Sequence, residues 1–469
     1  MSDAQAIANQ GVAPERTFRT ELRHQVRLAF PIVVGQLGMM LMNVVDTAMV
    51  GRFGREGEGA LAMSAVTQAS LLFMIGFTFA MGVLLALDPV LSHAAGADDR
   101  RGFARGVQRG FVLVPVLSLV ASAPLLFADV LLRLLDQPEE VRSTAVLYAD
   151  ITVPGVVLGL AFVVLRQALV VIERTGTIVA TVAIANVANA ALDYALIHGH
   201  FGLPAMGAGG SALASTLCRA LMFGVLLVVA WKDLRPLVLP LDRAALALAP
   251  LVRMARLGVA IGSQNILELG AFAFVAIAMG WFGTVEQAGH AVAMNLAAVS
   301  FMVPLGIGSA ASVRVGKAVG RGDGGAARLA ARCALVLGVG FMCASGVTYL
   351  LVPDLLTALY TDKPDIARVA ATLIPIAGAF QLFDGTQVVG LGVLRGAGDT
   401  FVPALVNFVG YWIVGIPLGL HLALRTEVGY TGLWWGLVAG LAVVATFLVL
   451  RIVKRLHHVR PRVDLDRAT

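Results

Sequence analysis

The chain has 469 residues, of which 58% are hydrophobic and only 14% are charged, and its mean hydropathy is +0.84. Soluble domains carry about a quarter charged residues, so this composition excludes an ordinary soluble protein. The net charge of +6 does not indicate nucleic-acid binding, because the basic residues lie between the hydrophobic stretches instead of forming one patch.

Hydrophobic stretches recur along the whole chain, and each is about 20 residues long, the length at which a helix crosses a bilayer. The sequence therefore predicts an all-α polytopic membrane protein with twelve transmembrane helices. The predicted helices lie near residues 27–50, 61–90, 107–130, 143–165, 177–198, 207–231, 256–280, 288–312, 331–352, 367–394, 401–423 and 430–452.

The distribution of basic residues predicts the orientation of these helices. Most of the 35 Lys and Arg residues lie in the amino-terminal segment, the even-numbered loops and the carboxyl-terminal tail. Short loops that are rich in Lys and Arg stay in the cytoplasm. We therefore expect both termini to be cytoplasmic.

The two halves of the chain resemble each other. The motif Gly51-Arg-Phe-Gly54 after the first helix recurs as Gly280-Trp-Phe-Gly283 after the seventh, and other short motifs recur in the same order. Six helices per copy is an even number, so both copies insert in the same direction. The sequence predicts two six-helix lobes, residues 1–240 and 241–469, related by a pseudo-two-fold axis along the membrane normal, with a cavity between them.

Four acidic residues lie inside the hydrophobic stretches: Asp46, Asp193, Glu268 and Asp384. An ionised carboxylate in the bilayer core is costly, so such residues generally mark ion or substrate pathways. Counting from the helix ends places Asp46 and Asp193 in the outer third, with Asn189 one helical turn before Asp193. The same count places Glu268 and Asp384 near the midplane. We therefore expect a first-lobe cluster and a separate second-lobe pair.

We interpret these acids as binding sites for a cation or a proton. Apolar surroundings favour the protonated form of a carboxyl group, and a second carboxyl nearby favours it further. An ion gradient could then load and unload the site. The same oxygens, together with Asn189, could instead coordinate Na⁺, a hard cation that favours oxygen ligands. A structural role, in which each acid is hydrogen-bonded to a neighbouring helix, is the alternative.

Other embedded polar residues have less specific patterns. Arg219, in the middle of the sixth helix, is either the counter-charge of one acid or a structural pin, and Asp88 is interpreted as a helix-end residue because Pro89 follows it. For the amides, hydrogen bonds between helices are the alternative to lining a cavity. The candidates for the substrate cavity are Gln36, Asn43, Gln264, Asn265, Phe380, Gln381, Gln387 and Asn407.

The sequence contains no motif that indicates an enzyme or an ATP-driven pump. The segment Val315-Gly-Lys-Ala318 lacks both the upstream glycine and the Ser or Thr of a phosphate-binding loop. Neither HExxH nor GxSxG occurs. We expect a transporter that has no enzymatic activity and no cofactor and that uses an ion gradient.

Several motifs together resemble the multidrug and toxic compound extrusion (MATE) family, most closely its bacterial NorM-like branch. They are Val45-Asp46-Thr47, Val50-Gly51-Arg52, His93-Ala-Ala-Gly96, Gln381-Leu-Phe-Asp384 and Leu394-Arg-Gly-Ala-Gly-Asp399. The resemblance extends over nearly the whole chain. It implies a monomeric transporter of the bacterial inner membrane that exchanges organic cations and other drugs for Na⁺ or H⁺.

The resemblance also implies roles for individual acids. In that branch, the acids that match Glu268 and Asp384 form the cation site of the second lobe, which holds Na⁺ in sodium-coupled relatives, and one that matches Asp46 serves the first lobe. Sodium-coupled relatives have a Tyr at the position of Phe380, and Asp193 is similar to the first-lobe acid of proton-coupled relatives. Both features favour H⁺ over Na⁺ as the exchanged ion.

Three other functions are compatible with a membrane protein of this kind. A lipid-linked oligosaccharide flippase of the same superfamily would have a basic cavity for pyrophosphate, whereas the embedded groups here are mainly acidic. A membrane-embedded enzyme would have a catalytic constellation at a loop. A channel fits poorly with a two-lobe repeat.

Overall fold

The computed structural model describes residues 17–51, 58–457 and 463–466, and within these residues the chain is entirely helical, without β-strands. Twelve helices are long and apolar enough to cross a membrane, which confirms the predicted fold class. They are α1 (Phe18–Gly51), α2 (Gly59–Gly96), α3 (Arg100–Leu126), α4 (Glu139–Val171), α5 (Thr175–His198), α6 (Gly207–Val229), α7 (Leu248–Gly280), α8 (Thr284–Gly320), α9 (Gly324–Leu351), α10 (Pro364–Gly396), α11 (Phe401–Arg425) and α12 (Thr431–His457).

Several helices continue beyond the hydrophobic stretches that predicted them. Helix α1 begins at Phe18 instead of near residue 27, and α8 ends at Gly320 instead of near residue 312. The extra turns carry charged residues but are still helical, because the backbone hydrogen bonds of a helix continue until a residue such as proline interrupts them. Short helices lie between the spans at Ala128–Leu134, Trp231–Val238, Arg243–Leu246 and Pro353–Ala358.

Two of the spans are irregular. Helix α2 is interrupted by a turn at residues 85–86 and resumes at Leu87, with Pro89 within its first turn. A proline is tolerated there because the first amides of a helix have no intrahelical partner. Helix α11 contains a π-helical segment over Val409–Gly415. Such segments are rare and are often found at functional sites.

The packing of the two halves follows one pattern. Helix α4 packs against α2, α3 and α6, and α10 packs in the same way against α8, α9 and α12. This correspondence is what a parallel six-helix repeat requires. The lobe limits at residues 240 and 241 stay a prediction, and the motif at 51–54 lies largely outside the described residues.

The halves are joined by ion pairs at the end of the bundle that carries Phe18 and His457, here called the terminal face. Arg314 of α8 donates to both carboxylate oxygens of Glu21 in α1, with an Nε–Oε1 distance of 2.8 Å, and the Glu21 side chain is buried. Breaking this pair is costly, because the buried carboxylate would be left uncompensated. Lys317 Nζ lies 2.6 Å from Oε1 of Glu173, which is more exposed.

The segment 463–466 packs onto the same face. The amide of Val463 donates to His93 Nδ1 at 2.9 Å, which leaves His93 Nε2 to donate to the carbonyl of Gly396 at 2.7 Å. Asp466 forms ion pairs with Arg105 and Arg109. Burial raises the pKa of Asp466, but the hydrogen bonds from the two arginines outweigh it and hold that pKa below its ordinary value. The segment therefore connects residues of α2 and α3.

Helices α2 and α7 cross at two glycines. A Cβ atom added to Gly82 would lie 2.5 Å from Gly262 Cα, closer than two such atoms can approach. The missing side chains thus allow the two halves to pack backbone against backbone, as is common in membrane helix pairs.

We predict that Gly82→Leu lowers the melting temperature of the purified protein by several degrees, because overpacking of this crossing costs about 1–3 kcal/mol. The control is Gly340→Leu, since an added Cβ at Gly340 would meet no atom within 4 Å. Differential scanning fluorimetry in detergent measures both variants. Equal melting temperatures for the two variants would contradict the close α2–α7 packing.

Candidate functional site

A cavity of about 600 Å³ lies between the two halves. Its wall is formed by α1, α2, α4 and α6 on one side and by α7, α8, α10 and α11 on the other. The wall is mostly apolar, with a small number of polar and charged side chains. This volume and composition are typical of sites that bind small organic molecules.

Three of the four embedded acids line this cavity. Asp46 reaches it from α1, Glu268 from α7 and Asp384 from α10. The sequence predicted two separate sites, because counting from the helix ends gave Asp46 a different depth from the other two. In the structure, acids from both halves line one cavity.

Asp193 and Asn189 are fully buried on α5 and are not part of the cavity wall. Asp193 lies close enough to Asp46 for the two carboxyl groups to interact, and neither Asp193 oxygen has a hydrogen-bond partner among the described residues. Asp46 Oδ2 accepts a hydrogen bond from Ser215 Oγ at 3.1 Å. Asp46, which lines the cavity, therefore lies next to a buried second carboxyl group.

Glu268 is held by a network of hydrogen bonds between helices. Gln387 Nε2 donates to Glu268 Oε2 at 3.2 Å, Asn407 Nδ2 approaches the same oxygen at 3.5 Å, and Tyr411 donates to Gln387 Oε1 at 3.1 Å. The side chains of Gln387 and Asn407 therefore form hydrogen bonds between helices, which was the alternative to lining the cavity. Tyr411 escaped the sequence analysis, because a lone Tyr in an apolar span gives no signal and its position depends on the π-helical segment.

Asp384 lies beside an aromatic wall. Its side chain is buried, and its Oδ1 has no hydrogen-bond partner among the described residues. One turn earlier, Phe380 packs edge-on against Phe272 and Trp434, with ring centroids 5.9 and 5.8 Å apart. The ring of Phe380 brings no oxygen to this part of the cavity.

Five of the candidate cavity residues do line the wall: Gln36, Asn43, Gln264, Asn265 and Phe380. Gln381 does not, which corrects the prediction, and it is fully buried. The cavity stripe of α10 follows the helical period through Phe380, Asp384 and Val388. Gln381 lies one position beside that stripe, and neither polar atom of its side chain has a hydrogen-bond partner among the described residues.

The cavity wall also contains three arginines, and Asp88 lies next to two of them. Arg395 Nε is 3.6 Å from Asp88 Oδ2, Arg166 lies near the same carboxylate, and Gln167 donates a hydrogen bond to it. Asp88 lies in the first turn of a helical segment, as expected for a helix-end residue, but it is only 3% exposed. The break in α2 places it at the start of a new helical segment that is buried between the halves.

The family model described as MatE matches residues 31–195 and 260–420. The "Probable multidrug resistance protein NorM" of Bradyrhizobium diazoefficiens is 36% identical over 452 residues, 94% of this chain and 95% of that protein. The protein of the same description from Rhizobium meliloti is 33% identical over 454 residues, with 95% of this chain and 96% of that protein covered.

The fold is similar to that of a solved structure, the crystal structure of the eukaryotic MATE transporter AtDTX14. The two superimpose with a TM-score of 0.84 at 22% sequence identity, with 93% of this chain and 96% of the other covered. At this level of identity the likeness establishes the fold.

We predict that Tyr411→Phe lowers the free energy of unfolding by about 1 kcal/mol, because Gln387 then loses a buried hydrogen bond. The loss should shrink when Glu268 is already replaced by Gln, since the three residues form one network. Thermal melts of the two single variants and the double variant measure this coupling, with Tyr194→Phe as the exposed control. Additive effects would show that Tyr411 does not support Glu268.

Proposed function

We propose that this chain, which belongs to the MatE family, exports cationic and amphipathic organic compounds in exchange for protons by alternating access. The observation that carries this proposal is the convergence of Asp46, Glu268 and Asp384 on one largely apolar cavity between the halves. The description of the relatives as multidrug resistance proteins supports it.

The exchange follows from competition for the same carboxylates. In the ionised state they attract a cationic compound into a cavity that excludes bulk water, where electrostatic attraction is strong. When protons neutralise them, this attraction is lost and the compound is released. Met and Phe side chains fill the remaining wall, among them Met39, Met81, Phe77 and Phe301. Such flexible and aromatic surfaces accept ligands of different shape.

Two features favour H⁺ over Na⁺ as the exchanged ion. Asp46 and Asp193 lie next to each other, and two adjacent carboxylates repel each other unless one of them is protonated. Around Asp384, the ring of Phe380 supplies no oxygen, whereas Na⁺ favours a shell of oxygen ligands. Glu268 and Asp384 would be the ligands of Na⁺ if the second half used that ion instead.

The proposed setting is the bacterial inner membrane, with both termini in the cytoplasm, as the distribution of basic residues favours. The terminal face is then the cytoplasmic face. Its ion pairs Glu21–Arg314 and Glu173–Lys317 join the two halves on that side. We further propose that the chain acts as a monomer, without cofactor, nucleic acid or enzymatic activity.

A lipid-linked oligosaccharide flippase is the weaker candidate. Three acids without an ion pair among the described residues line the cavity, namely Asp46, Glu268 and Asp384, and a fourth, Asp399, is paired with Arg451. Of its three arginines, Arg395 is paired with Asp88. A pyrophosphate group needs a surplus of basic groups, and this cavity does not provide one.

We predict that Asp46→Asn, Glu268→Gln and Asp384→Asn each reduce ethidium efflux by about tenfold or more, because each removes a charged partner of the cation. Efflux is followed by ethidium fluorescence in a bacterial strain that lacks its own pumps. Asp365→Asn, an exposed acid paired with Arg368, is the matched control and should export normally. Unchanged efflux in all three cavity variants would refute the mechanism.

We predict that an imposed pH gradient alone drives ethidium transport in proteoliposomes and that a Na⁺ gradient alone does not. Asp193→Asn should weaken the proton-driven transport, because it removes one of the two adjacent carboxyls. Protein-free liposomes provide the background. Transport driven by Na⁺ without a pH gradient would contradict the assignment of the ion.

A further inference from the structure

The segment 463–466 lies across the boundary between the two halves at the terminal face, here called the seam. Val463 donates its amide hydrogen to His93 Nδ1 of α2 at 2.9 Å. On the other side of the seam the Val463 side chain packs against Gly398, because a Cβ atom added to Gly398 would lie 2.8 Å from Val463 Cγ2. Gly398 follows α10 of the second half, so Val463 contacts both halves.

The other end of the segment is held by the first half. Asp466 forms ion pairs with Arg105 and Arg109 of α3, with an Arg105 Nη1–Asp466 Oδ2 distance of 3.1 Å. The Arg109 side chain is only 2% exposed, and Leu465 is buried beside these contacts. A buried guanidinium group that loses its carboxylate is left uncompensated, which is costly. The segment is therefore docked at both of its ends.

The same two arginines bind the chain that joins the halves. Arg105 Nε donates to Asp242 Oδ2 at 2.6 Å, and Arg109 Nη2 donates to the carbonyl of Ala244 at 3.2 Å. Gln108 of α3 accepts the amide hydrogen of Asp242 at 2.9 Å. These contacts lie just before α7, the first helix of the second half. Helix α3 thus holds the connection between the halves and the segment 463–466 at one place.

We infer that residues 463–466 form a strap across the seam, which stabilises the arrangement in which the halves are joined at the terminal face. This inference rests on the alternating access of the proposed function. When the halves separate there, Val463 cannot stay in contact with both His93 and Gly398. The strap therefore adds to the free energy of separation, and its removal shifts the equilibrium toward the separated arrangement.

A role confined to the first half makes a different prediction. If the segment only stabilised α3, its removal would loosen the packing of α3 and leave the seam unchanged. If the segment is a strap, its removal opens the seam and leaves the packing inside the first half intact. One buried reporter in the seam and one on α3 therefore distinguish the two roles.

The test measures how fast an introduced cysteine reacts with a water-soluble maleimide in the purified protein. The seam reporter is Gln25→Cys, because Gln25 lies one turn after Glu21 on α1, is fully buried and has no hydrogen-bond partner among the described residues. The control reporter is Ser118→Cys on α3, where the side chain is also buried and without such a partner. The native Cys218, Cys333 and Cys343 are replaced by Ala in every variant.

A chain that ends at residue 462 should react at the seam reporter about tenfold or more faster than the full chain, the effect expected from the loss of one charge-assisted pair. Asp466→Asn, which keeps the length of the chain, should fall between. A chain that ends at residue 467 keeps the strap and is the matched control, so it should react like the full chain. The reporter on α3 should react equally slowly in all of them.

The outcomes separate the strap from the export function. Equal rates at the seam reporter with and without the strap, including no reaction in either, overturn the inference, and so does a parallel rise at the reporter on α3. Ethidium efflux by the full chain is measured separately, and if it is absent while the seam rate still rises, the export function fails and the strap stands. Should the shortened chain fail to fold, an unchanged seam rate in Asp466→Asn overturns the inference.

Discussion

Charged groups inside a membrane must be paired, hydrogen-bonded or reached by water, and this chain satisfies that constraint in two ways. Asp88 is enclosed between the halves, where Arg395 and Gln167 compensate its charge. Asp46 and Asp384 each keep one oxygen without a hydrogen-bond partner among the described residues, and both face the cavity. The compensated acid joins the two halves, whereas the uncompensated acids are available to a ligand or an ion.

The contacts between the two halves restrict how the halves can move. The ion pair Glu21–Arg314 and the crossing of Gly82 over Gly262 connect the halves toward the terminal face. An alternating transporter has to separate these contacts when it opens that face. A compound or ion that binds to the cavity acids must therefore shift the equilibrium between the joined and the separated arrangement of the halves. It can do so only if it binds one arrangement more tightly than the other.

The candidate site was partly visible in the sequence. Hydropathy identified the spans, and the rarity of acids in apolar stretches identified Asp46, Glu268 and Asp384. The same reasoning misplaced Gln381 and did not reveal that Asp88 is buried beside Arg395. It also gave no sign of Tyr411, whose approach to the Glu268 network depends on an irregular turn of α11.

The sequence by itself determined the helical class and the twelve spans, because hydropathy acts along one helix at a time. Only the tertiary structure decided which helix faces meet. It placed Asp46 in one cavity with Glu268 and buried Asp193 next to Asp46. The physical reason is that the rotation of a helix about its axis, and the neighbours it meets, depend on packing between segments that are distant in the chain.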